Sequence, residues 1–75
     1  MDPVARLLQD AYLAHQAGRL AEAIRGYRRA LKSVPDRPDL LHLLGTALLQ
    51  SNDAREAIAP LRRAVRLSPG DAAVR

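Results

Sequence analysis

Cysteine, tryptophan and phenylalanine are all absent from this chain of 75 residues. Without cysteine no disulfide can staple the fold and no thiolate can hold a metal. The redox compartment is therefore left open. Aromatic residues are limited to Tyr12 and Tyr27, so the interleaved rings on which single-stranded nucleic acids stack are missing. No apolar run approaches the ~18 residues that a membrane span needs. Met1-Asp2-Pro3 opens the chain without a basic stretch ahead of an apolar core. No secretory leader or membrane anchor is expected on that reading, and a cytoplasmic location follows by default. No glycine-rich phosphate loop, nucleophile–base set or close carboxylate pair occurs, so neither an enzyme nor a cofactor is expected.

What is present is mostly Ala, Leu and Arg. Twelve cations face eight carboxylates for a net charge of +4, and every cation except Lys32 is an arginine. Such an excess can attract acidic partners, or it can reflect composition alone. A chain of this size buries only about 60% of its unfolded surface and forms at most one small domain, taken here as residues 1–75.

Residues 41–69 carry the clearest order. Leu41, Leu44, Gly45 and Leu48 recur at helical spacing, and Ala57, Ile58, Leu61, Ala64 and Val65 do so after a short polar turn. This predicts a helical hairpin. Gly45 falls inside the first helix, where glycine costs about 1 kcal/mol against alanine. Its presence suggests a close backbone approach, with Ala57 and Ala64 opposite. The pattern returns at an offset of 34 residues: Glu22, Ala23, Ile24, Arg28, Arg29, Ala30 and Pro35 fall on Glu56, Ala57, Ile58, Arg62, Arg63, Ala64 and Pro69. Gly18 falls on Asn52, and both tolerate the left-handed backbone that ends a helix.

A helix–turn–helix unit with this period resembles the tetratricopeptide repeat. That family's pattern runs W-x-x-L-G-x-x-Y, then A-x-x-x-F, A and P. Leu41, Leu44-Gly45, Leu48, Ala57, Leu61, Ala64 and Pro69 keep every spacing, with leucine at the three aromatic positions. The earlier copy is looser: Leu7, Ala11, Ala23, Tyr27, Ala30 and Pro35 fit, while Asp10 and Ala14 depart from it. The resemblance implies an all-α fold of antiparallel helical hairpins stacked as a right-handed α-solenoid. Repeat one would span about residues 4–37 and repeat two about 38–71, with 72–75 beginning an incomplete third repeat or cap.

In chain order, Asp2 can cap a helix from Pro3 to about Ala17. A second helix is expected from about Leu20 to Ser33, its buried stripe formed by Leu20, Ala23, Ile24, Tyr27, Ala30, Leu31 and Val34, with Gly26 off the apolar face. A third starts at Pro38 and runs to about Ser51. The fourth starts at Ala54 behind Asp53 and runs to about Leu67. It contains Pro60, which lacks the N–H for one helical bond and predicts a bend. Ser68-Pro69-Gly70 should end it.

The resemblance places function on the first helix of each hairpin. In the family these helices line a concave groove that takes an extended peptide or a partner helix, which makes protein–protein interaction the expected role. By matched position the groove residues are Ala5, Leu8, Tyr12, His15 and Gln16, then Asp39, His42, Thr46, Leu49 and Gln50. The plainer alternative is that these residues pack against a further repeat or a second copy. The lysine–asparagine clamp of chaperone-binding members is missing, since its positions hold Leu8, Tyr12 and Leu43. His15 and His42 lack the i, i+4 spacing that a helical metal pair needs, with or without Asp39, so no metal site is expected.

A second surface is basic. Arg25, Arg28, Arg29 and Lys32 repeat as Arg62, Arg63 and Arg66 on the outer helices. This convex face is the rival site, for a nucleic acid or another acidic partner. A solvated outer surface explains the charges more simply, and the scarcity of aromatics weighs against nucleic acid. Solenoids usually need three or more repeats. Leu44, Ala47, Leu48, Leu61 and Val65 are therefore expected to be left uncovered, either as the join to the rest of a longer protein or as a homodimer interface.

Overall fold

The helical spacing converts into four helices in the computed structural model, which describes residues 3–67. They are α1 (Pro3–Gln16), α2 (Leu20–Ser33), α3 (Pro38–Gln50) and α4 (Ala54–Leu67). Each packs on its neighbour in sequence, α1 on α2, α2 on α3 and α3 on α4. The fold is all-α, two antiparallel hairpins stacked through α2 and α3, as the spacing predicts. Asp2 as a cap, Ser68-Pro69-Gly70 as a terminator and residues 71–75 as a third-repeat stub lie outside the described residues.

The two hairpin turns share one chemistry. After α1, Gly18 adopts φ +84°. The Arg19 N–H donates to the Ala14 carbonyl at 2.9 Å and the Gly18 N–H to the His15 carbonyl at 3.1 Å. After α3, Asn52 adopts φ +67°, and Asp53 and Asn52 repeat those bonds to Leu48 at 2.8 Å and Leu49 at 3.1 Å. This is the Schellman closure, in which one left-handed residue lets two amides satisfy the last free carbonyls of a helix. Between the hairpins Pro38 opens α3, and Arg37 before it is extended at φ −93°, ψ 109°, as a residue preceding proline must be. Helix α4 continues through Pro60.

The core runs through the middle of the stack. Tyr27, Leu40 and Leu48 are the largest fully buried side chains, with Val4, Ala11, Ala14, Ala23, Ala30, Leu44, Ala47 and Ala57 around them. Helix α3 buries more residues than any other helix because it is packed on both sides. Leu40, Leu41, Leu44, Gly45, Ala47 and Leu48 are all buried there, which requires more than a single apolar stripe. Helix α4 lies at the end of the described stack and buries only Ala57 and Ala64.

Several expectations are corrected. Leu44, Ala47 and Leu48 are not an uncovered end, since they sit inside the core. Leu61 is half-buried and only Val65 of that set is exposed. Ile58, read as part of the buried stripe, is exposed. The cause is position: α3 has helices on two sides, whereas α4 packs chiefly on α3. Gly45 accommodates the Leu61 side chain rather than a neighbouring backbone, and a methyl there would overlap Leu61 Cγ and Cδ2. Gly26 is not off the packed face. A Cβ on it would stand 2.7 Å from Ala11 Cβ, so α1 and α2 come close at Gly26.

Candidate interaction groove

A groove with a volume of 410 Å³ opens between α1 and α3, lined by Ala5, Leu8, Gln9, Tyr12, Arg37 and Leu43. Ala5, Leu8, Gln9 and Tyr12 succeed one another at helical intervals of three, one and three, so one flank of α1 carries them all. Tyr12 keeps 45% of its surface exposed, while Leu8 and Leu43 are half-buried. The groove thus has an apolar floor, an aromatic ring with a free polar tip, and a polar edge.

Of the residues predicted for this surface, Ala5, Leu8 and Tyr12 line the groove. His15 lies one turn beyond Tyr12 and ties three helices together. Its Nδ1 is 2.9 Å from the Tyr27 hydroxyl on α2, and its Nε2 is 2.6 Å from Gln50 Oε1 on α3. An amide oxygen only accepts, so in the neutral ring Nε2 carries the hydrogen and Nδ1 accepts from the tyrosine hydroxyl. The two rings meet edge to face at 5.8 Å, a favoured aromatic geometry. His15 and Gln50 therefore bond α1 to α3.

Asp39 is exposed and gripped by Arg37, whose Nη2 donates to Oδ2 at 2.7 Å and Nε to Oδ1 at 3.3 Å. This bond holds the Asp39 carboxyl below the usual carboxylate range, against a smaller upward pull from burial. The Thr46 hydroxyl donates to the His42 carbonyl at 2.9 Å within its own helix. Gln16, His42 and Leu49 are exposed and, like Thr46, lie outside the groove lining.

Sequence reasoning missed Leu43, Gln9 and Arg37 as lining residues. Leu43 had a visible signal. Leu40, Leu41, Leu43 and Leu44 cannot share one stripe, so α3 must be apolar on a second side. The signal for Arg37 is weaker, an arginine beside Pro38 with a carboxylate two positions on.

The rival basic surface is interrupted by carboxylates. Arg28 Nη2 donates to Glu56 Oε1 at 3.1 Å, joining α2 to α4. Arg63 pairs with Asp36. Arg25 and Arg29 share a shallow recess with Asp10 and Glu22. These pairs are exposed, and each contributes no more than about 1 kcal/mol. Their consequence is for recognition, since a phosphate would have to displace them. The sequence placed Glu22 and Glu56 near the helix starts but did not foresee the Arg28–Glu56 bridge. Among the described residues no helix is long and apolar enough to cross a membrane, and no three His, Cys, Asp or Glu side chains cluster as metal ligands would.

Tyr27 carries a measurable mark of this arrangement. Burial, and to a lesser degree the nearby Tyr12 phenol, raise its pKa above the ordinary 10.0. An acid whose pKa is raised by folding stabilises the fold fully below its unfolded value, and that contribution is lost as pH rises through the folded value. Stability should therefore fall above about pH 10. The Tyr27→Phe variant should lose less over the same interval, as read from urea midpoints at neutral and alkaline pH. Parallel pH dependence in the two proteins would mean that Tyr27 is not the group responsible.

Residues 8–72 of the chain match the family profile described as tetratricopeptide repeat. Comparison with the curated proteins and with the solved structures gave no match.

Proposed function

The chain belongs to the tetratricopeptide repeat family, a family of protein–protein interaction modules, and from that premise we propose that the groove between α1 and α3 is its binding surface for a peptide or partner helix. The two hairpins act as repeats of about 4–37 and 38–71, with the first helix of each facing the partner. The observation that carries the reading is the composition of the groove. Leu8 and Leu43 give an apolar floor, and Tyr12 stands half-exposed above it with no bond to another described side chain. A ring that is apolar in body and polar at its tip contributes area at low entropic cost, which is why tyrosine is common at recognition sites. The partner is a short segment with one large apolar side chain for the Leu8–Leu43 floor and a polar group within reach of the Tyr12 hydroxyl. Arg37 at the edge is already engaged by Asp39, so the groove does not select strongly for an acidic ligand.

A random peptide array probed with the whole chain would supply ligands, and their affinities would then be measured by fluorescence anisotropy. Tyr12→Ala and Leu43→Glu are each expected to weaken the tightest ligand by at least about tenfold, a loss of about 1.4 kcal/mol. Helicity should remain near that of the wild type, because neither side chain is fully buried. Unchanged affinity in both variants would remove the groove from consideration. Loss only in Arg25→Glu or Arg29→Glu would favour the basic outer surface instead.

A further inference from the structure

His15 stands at one end of the α1–α3 groove. Ala5, Leu8 and Tyr12 follow one another along α1 toward it, and Tyr12 is one turn away. Arg37 and Leu43 follow one another along α3 toward Gln50 in the same direction. The 2.6 Å bond from His15 Nε2 to Gln50 Oε1 therefore joins the two groove walls at that end. The main packing of α1 is on α2, so the separation of α1 from α3 is otherwise set through α2.

The protonation of the ring decides whether this join holds. In the neutral ring Nδ1 accepts from the Tyr27 hydroxyl at 2.9 Å while Nε2 donates to Gln50. A proton taken from solvent onto Nδ1 turns that nitrogen into a donor. The Tyr27 oxygen can receive it, but the tyrosine hydrogen is then left without an acceptor. Tyr27 is fully buried, and its hydroxyl makes no other hydrogen bond to a described residue. A buried hydroxyl that cannot donate is unfavourable. His15 is only half-buried, so the charged ring has a route to water. Taking that route breaks both bonds and frees α1 from Gln50.

The charged groups on the surrounding elements are engaged elsewhere or distant. On α1, Arg6 is about two and a half turns away, and Asp10 shares a recess with Arg25 and Arg29 of α2. Also on α2, Glu22 pairs with Arg19 and Arg28 with Glu56, and Lys32 lies in the last turn. On α3, His42 is about two turns back from Gln50 and Asp39, bonded to Arg37, about three. Asp53 accepts from the Ser51 hydroxyl. Among the described residues no ion pair reaches His15.

We propose that His15 is a proton-operated clasp on the α1–α3 groove: the neutral ring holds α1 and α3 at the spacing that binds a peptide, and protonation releases it. This rests on that groove being the binding surface. Binding should weaken on acidification through the range in which histidine side chains change charge. Linkage requires the converse, that a bound peptide opposes protonation of His15 by the same factor.

The test titrates the whole chain with the tightest array peptide that lacks histidine and carboxylate side chains and is capped at both ends. Affinity by anisotropy should fall at least about fivefold between about pH 7.5 and about pH 5, the low end of common coupling strengths. The His15 Cε1–H resonance should titrate at lower pH in the saturated complex than in the free chain. In Gln50→Glu the new carboxylate favours the charged ring, so the fall should begin at higher pH. His15→Gln should abolish the dependence, and His42→Gln should keep it. Circular dichroism should be alike at both ends of the range. An unchanged His15 titration on binding, a pH dependence that survives His15→Gln, or helicity lost together with affinity would each overturn the clasp. A flat pH profile with affinity still lost in Tyr12→Ala would overturn the clasp and leave the groove standing. Affinity indifferent to both Tyr12→Ala and Leu43→Glu would overturn the two together.

Discussion

Tyr27→Ala is expected to leave the chain largely unfolded at physiological temperature. Tyr27 is fully buried, with 0% exposure. It sits where α1, α2 and α3 meet, and its hydroxyl holds His15 at 2.9 Å. Truncating a large buried aromatic side chain costs about 3–5 kcal/mol. A domain of this length has a total stability of roughly 4–11 kcal/mol at 0.05–0.15 kcal/mol per residue, and small domains lie toward the lower end. The loss therefore takes most of what is available. Tyr27→Phe separates packing from bonding. It keeps the ring and removes only the hydroxyl, so it should cost about 1 kcal/mol, the value of one net hydrogen bond. Thermal melts followed by circular dichroism should place Tyr27→Phe a few degrees below the wild type and show little cooperative transition for Tyr27→Ala. Similar melting temperatures for all three would mean that the α1–α2–α3 junction is not what holds the stack.

Leu48→Glu is expected to unfold the chain as well, and Val65→Glu is expected to do almost nothing. Leu48 is fully buried within the core cluster, and no cation lies in that cluster to pair with a carboxylate. Placing an ion there combines a lost apolar contact with an uncompensated charge, a change of about 4 kcal/mol or more. Val65 is exposed on α4, where a substitution changes stability by about 0.5 kcal/mol or less. The contrast matters because the repeat pattern alone assigns both residues to the same uncovered end. A folded, soluble Leu48→Glu protein that merely changes its sedimenting mass would restore that assignment. Loss of helicity in Leu48→Glu beside a native Val65→Glu would place the uncovered surface on α4.

The divide between what the residues foretell and what they do not follows from the range of the interactions. Helix limits and turns are local, and the sequence placed them within about a residue. Gly18 and Asn52 announced the left-handed closures, and Pro38 announced the start of α3. The burial of Tyr27 was readable because its neighbours at helical spacing are Ala23, Ile24 and Ala30. Which side of a helix meets another helix is not local. Ile58 looked as buried as Ile24 because the two lie in the same pattern, and only the packing order separates them. Gly45 announced a close approach, but the partner proved to be the Leu61 side chain, since nothing in a spacing states what fills a gap. The groove was half foreseen. Leu8 and Tyr12 came with the family pattern, whereas His15 and Gln50 were diverted into a bond with each other that requires both helices to be in place.

The binding claim is tested most directly by amide NMR of the wild-type chain titrated with the tightest peptide from the array. The expected result is a contiguous set of shifts at Ala5, Leu8, Gln9, Tyr12 and Leu43, with the amides from Arg55 to Arg66 unmoved. Shifts centred on α2 and α4, with Tyr12 and Leu43 silent, would contradict it.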